Sequence, residues 1–263
     1  MLKATPLDAL LKNERVIVIA GMVCLAGLAA AYTVSGAGMK SSAVQATGPG
    51  AAMMTHAPWT MGYGVLVMLM WWVMMIAMMV PSAPPMILMF SALKRRRAGL
   101  RHPVALTATF VSGYLLIWLA FSALATGLQW ALDFARLLAP DMRTGNAALG
   151  GSILIAAGLY QFSALKNACL NKCRLPVRFL VERRRPGFTG ALRMGLEHGA
   201  YCVGCCWLLM ALLFVGGIMN LYWIGALALY VLLEKRMGPW LGRVCGALLC
   251  VAGAAWIALS SGL

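Results

Sequence analysis

Acidic side chains are scarce in this 263-residue chain: seven Asp and Glu stand against 22 Lys and Arg, and charged residues of both signs make up only 11%. A soluble domain carries about 25% charge. With 62% hydrophobic residues and a mean hydropathy of +0.83, the composition excludes an ordinary soluble fold. Also missing are a Walker run, a G-x-G-x-x-G after a strand, a nucleophile elbow and carboxylates paired at catalytic spacing. Their absence removes nucleotide-driven transport, dinucleotide chemistry and serine hydrolysis. Histidine is limited to His56, His102 and His198.

The apolar runs in their place are long enough to span a bilayer, which takes about 20 residues of helix. The expected fold is all-α: a polytopic transmembrane bundle of about seven helices forming a single integral membrane domain over residues 1–263. The first run, Val16 to Val34, exceeds a signal-peptide core and reads as a retained helix. Of the 22 basic residues, all except Lys40, Arg136 and Arg143 fall beside the ends of spans that would share one side of the membrane. That asymmetry predicts a cytoplasmic N-terminus and an outer C-terminus in the inner membrane of a bacterium. The +15 net charge therefore reports topology and contact with anionic lipid at the cytoplasmic face, with no nucleic-acid partner. Segment 35–59 reads as an outer loop and 167–188 as a basic cytoplasmic loop with room for a short helix.

The richest stretch is Met194 to Asn220. It places Glu197, His198, Cys202, Cys205 and Cys206 in what reads as a spanning helix. His198, Cys202 and Cys205 or Cys206 are separated by four and then three or four residues and so share one stripe. An ionisable group inside a membrane costs roughly 2.5 to 3.5 kcal/mol on insertion scales, which favours function over filler. Glu197 next to His198 is read as orienting the ring or carrying protons, or as pairing with Arg193 one turn back. The Cys202-Val-Gly-Cys205 spacing lacks the strand and helix context of thiol redox enzymes. Cys169 and Cys173, four apart on the preceding helix, are candidates for the other half of a metal site. With a rise of 1.5 Å per residue, Cys202 lies about 14 Å and Cys206 about 20 Å from the inner interface at Arg193. All eight cysteines are expected as free thiols, with Cys24, Cys245 and Cys250 serving as packing.

Met61, Met68, Met75, Met79 and Met86 follow at intervals of seven, seven, four and seven, which lines one helical face with thioethers. Thioethers and thiolates select Cu(I), while methionine is also a flexible apolar packer. Met75 and Met79 are the rungs nearest the depth of the thiols. Pro81, Pro84 and Pro85 then break the helix, a feature that marks binding sites in transporters. Met53, Met54 and His56 could collect a soft metal on the outer loop.

The run from Trp72 to Pro81, the YQFSALKNACLNKCRLP segment, GLEHGAYCVGCCW and the Glu234-Lys235 helix end together resemble a bacterial group of predicted metal-binding integral membrane proteins, domain of unknown function 2182. The resemblance covers nearly everything from the second helix to the sixth. It implies that Cys169, Cys173, Glu197, His198, Cys202, Cys205 and Cys206 act as a group, and it implies no reaction. The leading expectation is Cu(I) handling, by translocation or by delivery to a metalloenzyme or metallochaperone partner. The alternatives are a structural or assembly subunit with a closed Zn site and an intramembrane metalloenzyme. Sequence supplies no substrate pocket for the last.

Overall fold

A computed structural model describes residues 6–35, 59–95, 103–139 and 142–261. Met53, Met54, His56 and most of the expected outer loop lie outside the described residues. The elements are α1 (Pro6–Val34), α2 (Met61–Met79), a 3-10 turn (Val80–Ser82), α3 (Pro84–Arg95), α4 (Pro103–Phe134), α5 (Ala147–Gln161), α6 (Ala164–Arg174), α7 (Pro176–Glu182), α8 (Gly187–Ala211), the one-turn α9 (Leu213–Gly216), α10 (Leu221–Met237) and α11 (Pro239–Ser260). The expected all-α bundle is what forms: an isolated bridge between Leu138 and Thr144 is the nearest approach to a strand among the described residues.

Local chemistry sets the helix starts. Pro6, Pro84, Pro103, Pro176 and Pro239 each open a helix, where a missing N–H costs nothing and the fixed φ is already helical. Side chains of Thr60, Asn146, Ser163 and Asn220 accept from the first free N–H groups of α2, α5, α6 and α10, each cap being worth about 1 kcal/mol.

Five helices are long and apolar enough to cross a membrane: Val16–Val34, Met61–Ser82, Pro103–Phe134, Gly187–Gly216 and Pro239–Ser260. The α5 and α6 pair counts as a sixth if taken as one span bent by 64°. These helices are compatible with a multi-pass membrane protein. α10, with 17 residues, sits at the short limit of about 17 for a span. The apolar run from Gly150 to Lys166 reads in sequence as most of one helix that continues to a stop at Pro176, but the structure breaks it at Phe162 and Ser163. Ser163 turns its hydroxyl to the Lys166 N–H and starts a new helix in a new direction.

Two crossings are close because glycine makes them so. A Cβ on Gly113 would lie 2.5 Å from the Leu192 carbonyl oxygen, and one on Gly195 would collide with the Phe110 carbonyl oxygen. α4 and α8 therefore touch backbone to backbone. α5 and α11 do the same, where a Cβ on Gly158 or on Gly151 would be 2.7 or 2.8 Å from the carbonyl of Gly246 or Gly253. Small residues at such crossings let dispersion act between helices that lipid would otherwise solvate equally well. The α4 and α8 contact holds Phe110 and Tyr114 against the ligand-rich stripe.

Candidate metal site

α8 buries His198, Cys202, Cys205 and Cys206, each at most 3% exposed. Around the Cys202 sulfur four other elements converge. The Tyr114 hydroxyl of α4 lies 3.3 Å away, and the Lys235 ammonium of α10 donates to the sulfur at 3.2 Å. From α6 the Cys173 thiol meets the thiols of Cys202 and Cys205. Lys235 also donates to Ser82 Oγ at 2.6 Å, at the break between α2 and α3.

The break itself supplies the fourth wall. Proline at 81, 84 and 85 removes backbone donors, and the freed carbonyls need other partners. The Met79 carbonyl, whose helical donor Ala83 N–H turns to the Val80 carbonyl instead, finds two: Ser82 Oγ at 2.8 Å and the Tyr114 hydroxyl at 3.3 Å. Tyr114 thus bridges the end of the methionine helix and the Cys202 sulfur. Met75 and Met79 are fully buried, as are Met70 and Met74. Higher on the helix the stripe leaves the interior: Met68 sits on an outer pocket with Trp59 and Trp130, and Met61 is 88% exposed.

The remaining expected residues are placed as follows. All eight cysteines are free. Cys169 is buried one turn from Cys173, its sulfur against Gly204, where a Cβ would come within 2.8 Å. Cys205 and Cys206 each donate to the Cys202 carbonyl at 3.0 Å, so their S–H groups point back along their own helix. Among the described residues no three His, Cys, Asp or Glu side chains are arranged to hold a metal ion. His198 lies in an aromatic cage, with ring centroids 5.5 Å from Tyr114, 5.8 Å from Phe179 and 6.0 Å from Phe110. Its Nδ1 has no hydrogen-bond partner. Glu197 turns to the basic end of the bundle, with Arg185 at 3.3 Å, Arg193 at 3.5 Å and Arg183 at 3.9 Å.

Lys235, Tyr114 and Ser82 are the residues that sequence reasoning missed. Lys235 stood in the Glu234-Lys235 helix end and Ser82 among the prolines, whereas Tyr114 gave no signal. Beside them lies a second buried polar group. Lys166 Nζ is 2.9 Å from both carboxylate oxygens of Glu234, with both side chains at most 2% exposed, and Tyr230 donates to the same carboxylate at 3.2 Å. Neighbours in sequence, Glu234 and Lys235 pin the end of α10 from two sides. Outside the spans, Lys172 and Arg178 donate to Glu182 and hold its carboxyl down at about 2, which ties α7 to α6.

A cavity of about 340 Å³ opens beside the thiols, lined among others by Pro81, Ser82, Cys173, Arg174, Lys235 and Arg236. It gives one thiol of the cluster a route to the outside. Chemically, the arrangement offers soft sulfur donors from two helices, a cation beside one of them and a broken helix at the same place.

Residues 68–256 match the model of a family described as "PpoB2: Copper chaperone". No curated protein and no solved structure matches the chain. The matched stretch begins inside α2 and ends inside α11, so it holds the methionine helix, the proline break, all five clustered cysteines and Lys235. It leaves out Met53, Met54 and His56. The chain belongs to the PpoB2 family of copper chaperones.

Proposed function

We propose that this chain is a membrane-embedded chaperone for Cu(I), which holds the ion between Cys173 and Cys202 and exchanges it with the thioethers of α2. The observation that carries this reading is the Cys202 sulfur, set between the Lys235 ammonium, the Tyr114 hydroxyl and the Cys173 thiol. A thiol takes up Cu(I) by losing its proton, and the negative charge left in a low-dielectric site needs a counter-ion. Lys235 is that counter-ion. Cys205 and Cys206 complete the donor set by rotating away from the Cys202 carbonyl, a small cost because a thiol is a weak donor. Softness selects the metal, since thiolate and thioether donors suit Cu(I) where a closed Zn site would need four preset ligands.

Met79 and Met75 form the inner rungs of the path and Met68 and Met61 its outer end. Glu197 acts from outside the donor set: its arginine partners place the α7 to α8 loop over the cluster. In this reading the N-terminus lies on the cytoplasmic side of the inner membrane, which the basic residues at the ends of α3, α6 and α10 support. The receiving partner is a copper enzyme or a second metallochaperone.

Metal analysis of the purified full chain tests the reading. Copper should bind under reductant and leave when the thiols are oxidised. Zinc bound stoichiometrically and kept through oxidation would overturn it in favour of a structural site.

A further inference from the structure

We infer that the cavity beside Cys173 admits copper as the anionic bis(thiolate) complex of a small thiol, and not as a bare cation; the inference rests on the copper-binding role of Cys173 and Cys202. The cavity walls carry Arg174, Lys235 and Arg236 and, among the described residues, no acid. A cation approaching alone would meet three positive charges. An anion is drawn in, and a charged cleft of this kind raises encounter rates by about 10- to 1,000-fold. The Arg174 guanidinium lies against Gly238, where a Cβ would come within 3.1 Å, at the turn from α10 to α11. At about 340 Å³ the cavity falls within the usual 300 to 1,000 Å³ of small-molecule sites. That is too small to seat a folded protein donor.

The exchange balances. A complex of Cu(I) with two small thiolates carries one negative charge at its copper centre. Cys202 forms the first new Cu–S bond, and its proton goes to one small thiolate, which departs as a thiol. Cys173 forms the second Cu–S bond, and its proton goes to the other small thiolate, which departs as a thiol. No electron is transferred. The product, copper bridged by two cysteine sulfurs, again has a charge of minus one next to the Lys235 ammonium. The anionic copper centre therefore comes to rest against the Lys235 ammonium, which balances its charge in the buried site.

Two carriers with the same sulfur donor and opposite charge separate this from simple diffusion of copper. The reduced full chain in neutral-lipid nanodiscs is mixed with Cu(I)–glutathione or with Cu(I)–cysteamine, and the transfer rate is followed by stopped flow. Glutathione should load the parent at least tenfold faster than cysteamine, an advantage that fades with salt. The double variant R174Q/R236Q should lose that preference and R174K/R236K should keep it, which excludes a mere folding defect. Equal rates from both carriers, or a preference that survives R174Q/R236Q, would overturn the inference while leaving copper binding intact. A protein donor would then be required. If no copper binds from either carrier or at equilibrium, the copper reading beneath it fails as well.

Discussion

The Lys235 ammonium reaches the Cys202 sulfur at 3.2 Å across 33 residues of chain, and the same ammonium holds Ser82 at the helix break. One lysine thus joins α8, α10 and the turn after α2. Removing its charge should weaken metal binding by more than it loosens these ties. K235M is expected to lower copper affinity by roughly ten- to a hundredfold, the usual effect of losing a partner just outside the ligands. Chelator competition measures this, and an unchanged affinity would reduce Lys235 to a structural tie.

The two thiols of α6 should behave differently. Cys173 meets the cluster, whereas Cys169 packs on Gly204. C173S should lose bound copper as C202S does, while C169S should retain nearly parental stoichiometry. Equal loss in both α6 variants, read by elemental analysis per protein, would mean that α6 turns when copper binds.

The stripe on α8 was legible because its spacing of four and then three or four residues survives in any straight helix, and the prolines after Met79 announced the break. Partners from distant helices were not. Lys235 looked like one more interfacial lysine, since nothing local tells that its side chain runs inward to a thiol. Tyr114 is a single polar atom in an apolar span. The bend at Phe162 to Ser163 was hidden because a serine cap inside an apolar run reads as an ordinary intramembrane serine, so α5 and α6 merged into one expected helix. For Glu197 the spacing of four offers Arg193 as a partner, one of the readings open in sequence, and that pair forms, yet Arg183 and Arg185 come from a loop whose path no periodicity fixes.

Packing and relay roles for the methionines predict different outcomes. Met75 and Met79 are fully buried, and leucine conserves their volume, so M75L/M79L should cost less than about 1.5 kcal/mol of stability. As relays they would leave a variant that folds and loads copper at the thiols but fails to pass it on to a chelator held on the opposite face of a proteoliposome. Parental transfer rates in that assay would make the stripe packing alone.

The Lys166 and Glu234 pair should be costly to break and cheap to replace. E234Q leaves a buried ammonium without its counter-charge, a loss of about 3 to 5 kcal/mol, while K166M/E234L should recover most of it because each charge no longer needs the other. Thermal unfolding in detergent compares the two. A double variant no better than E234Q would show that the pair does more than compensate itself.

X-ray absorption at the copper edge on the reduced, loaded chain tests the central claim most directly. The account predicts Cu(I) with an all-sulfur first shell that contracts or empties in C202S. A shell dominated by nitrogen or oxygen, or one unaltered by that substitution, would contradict it.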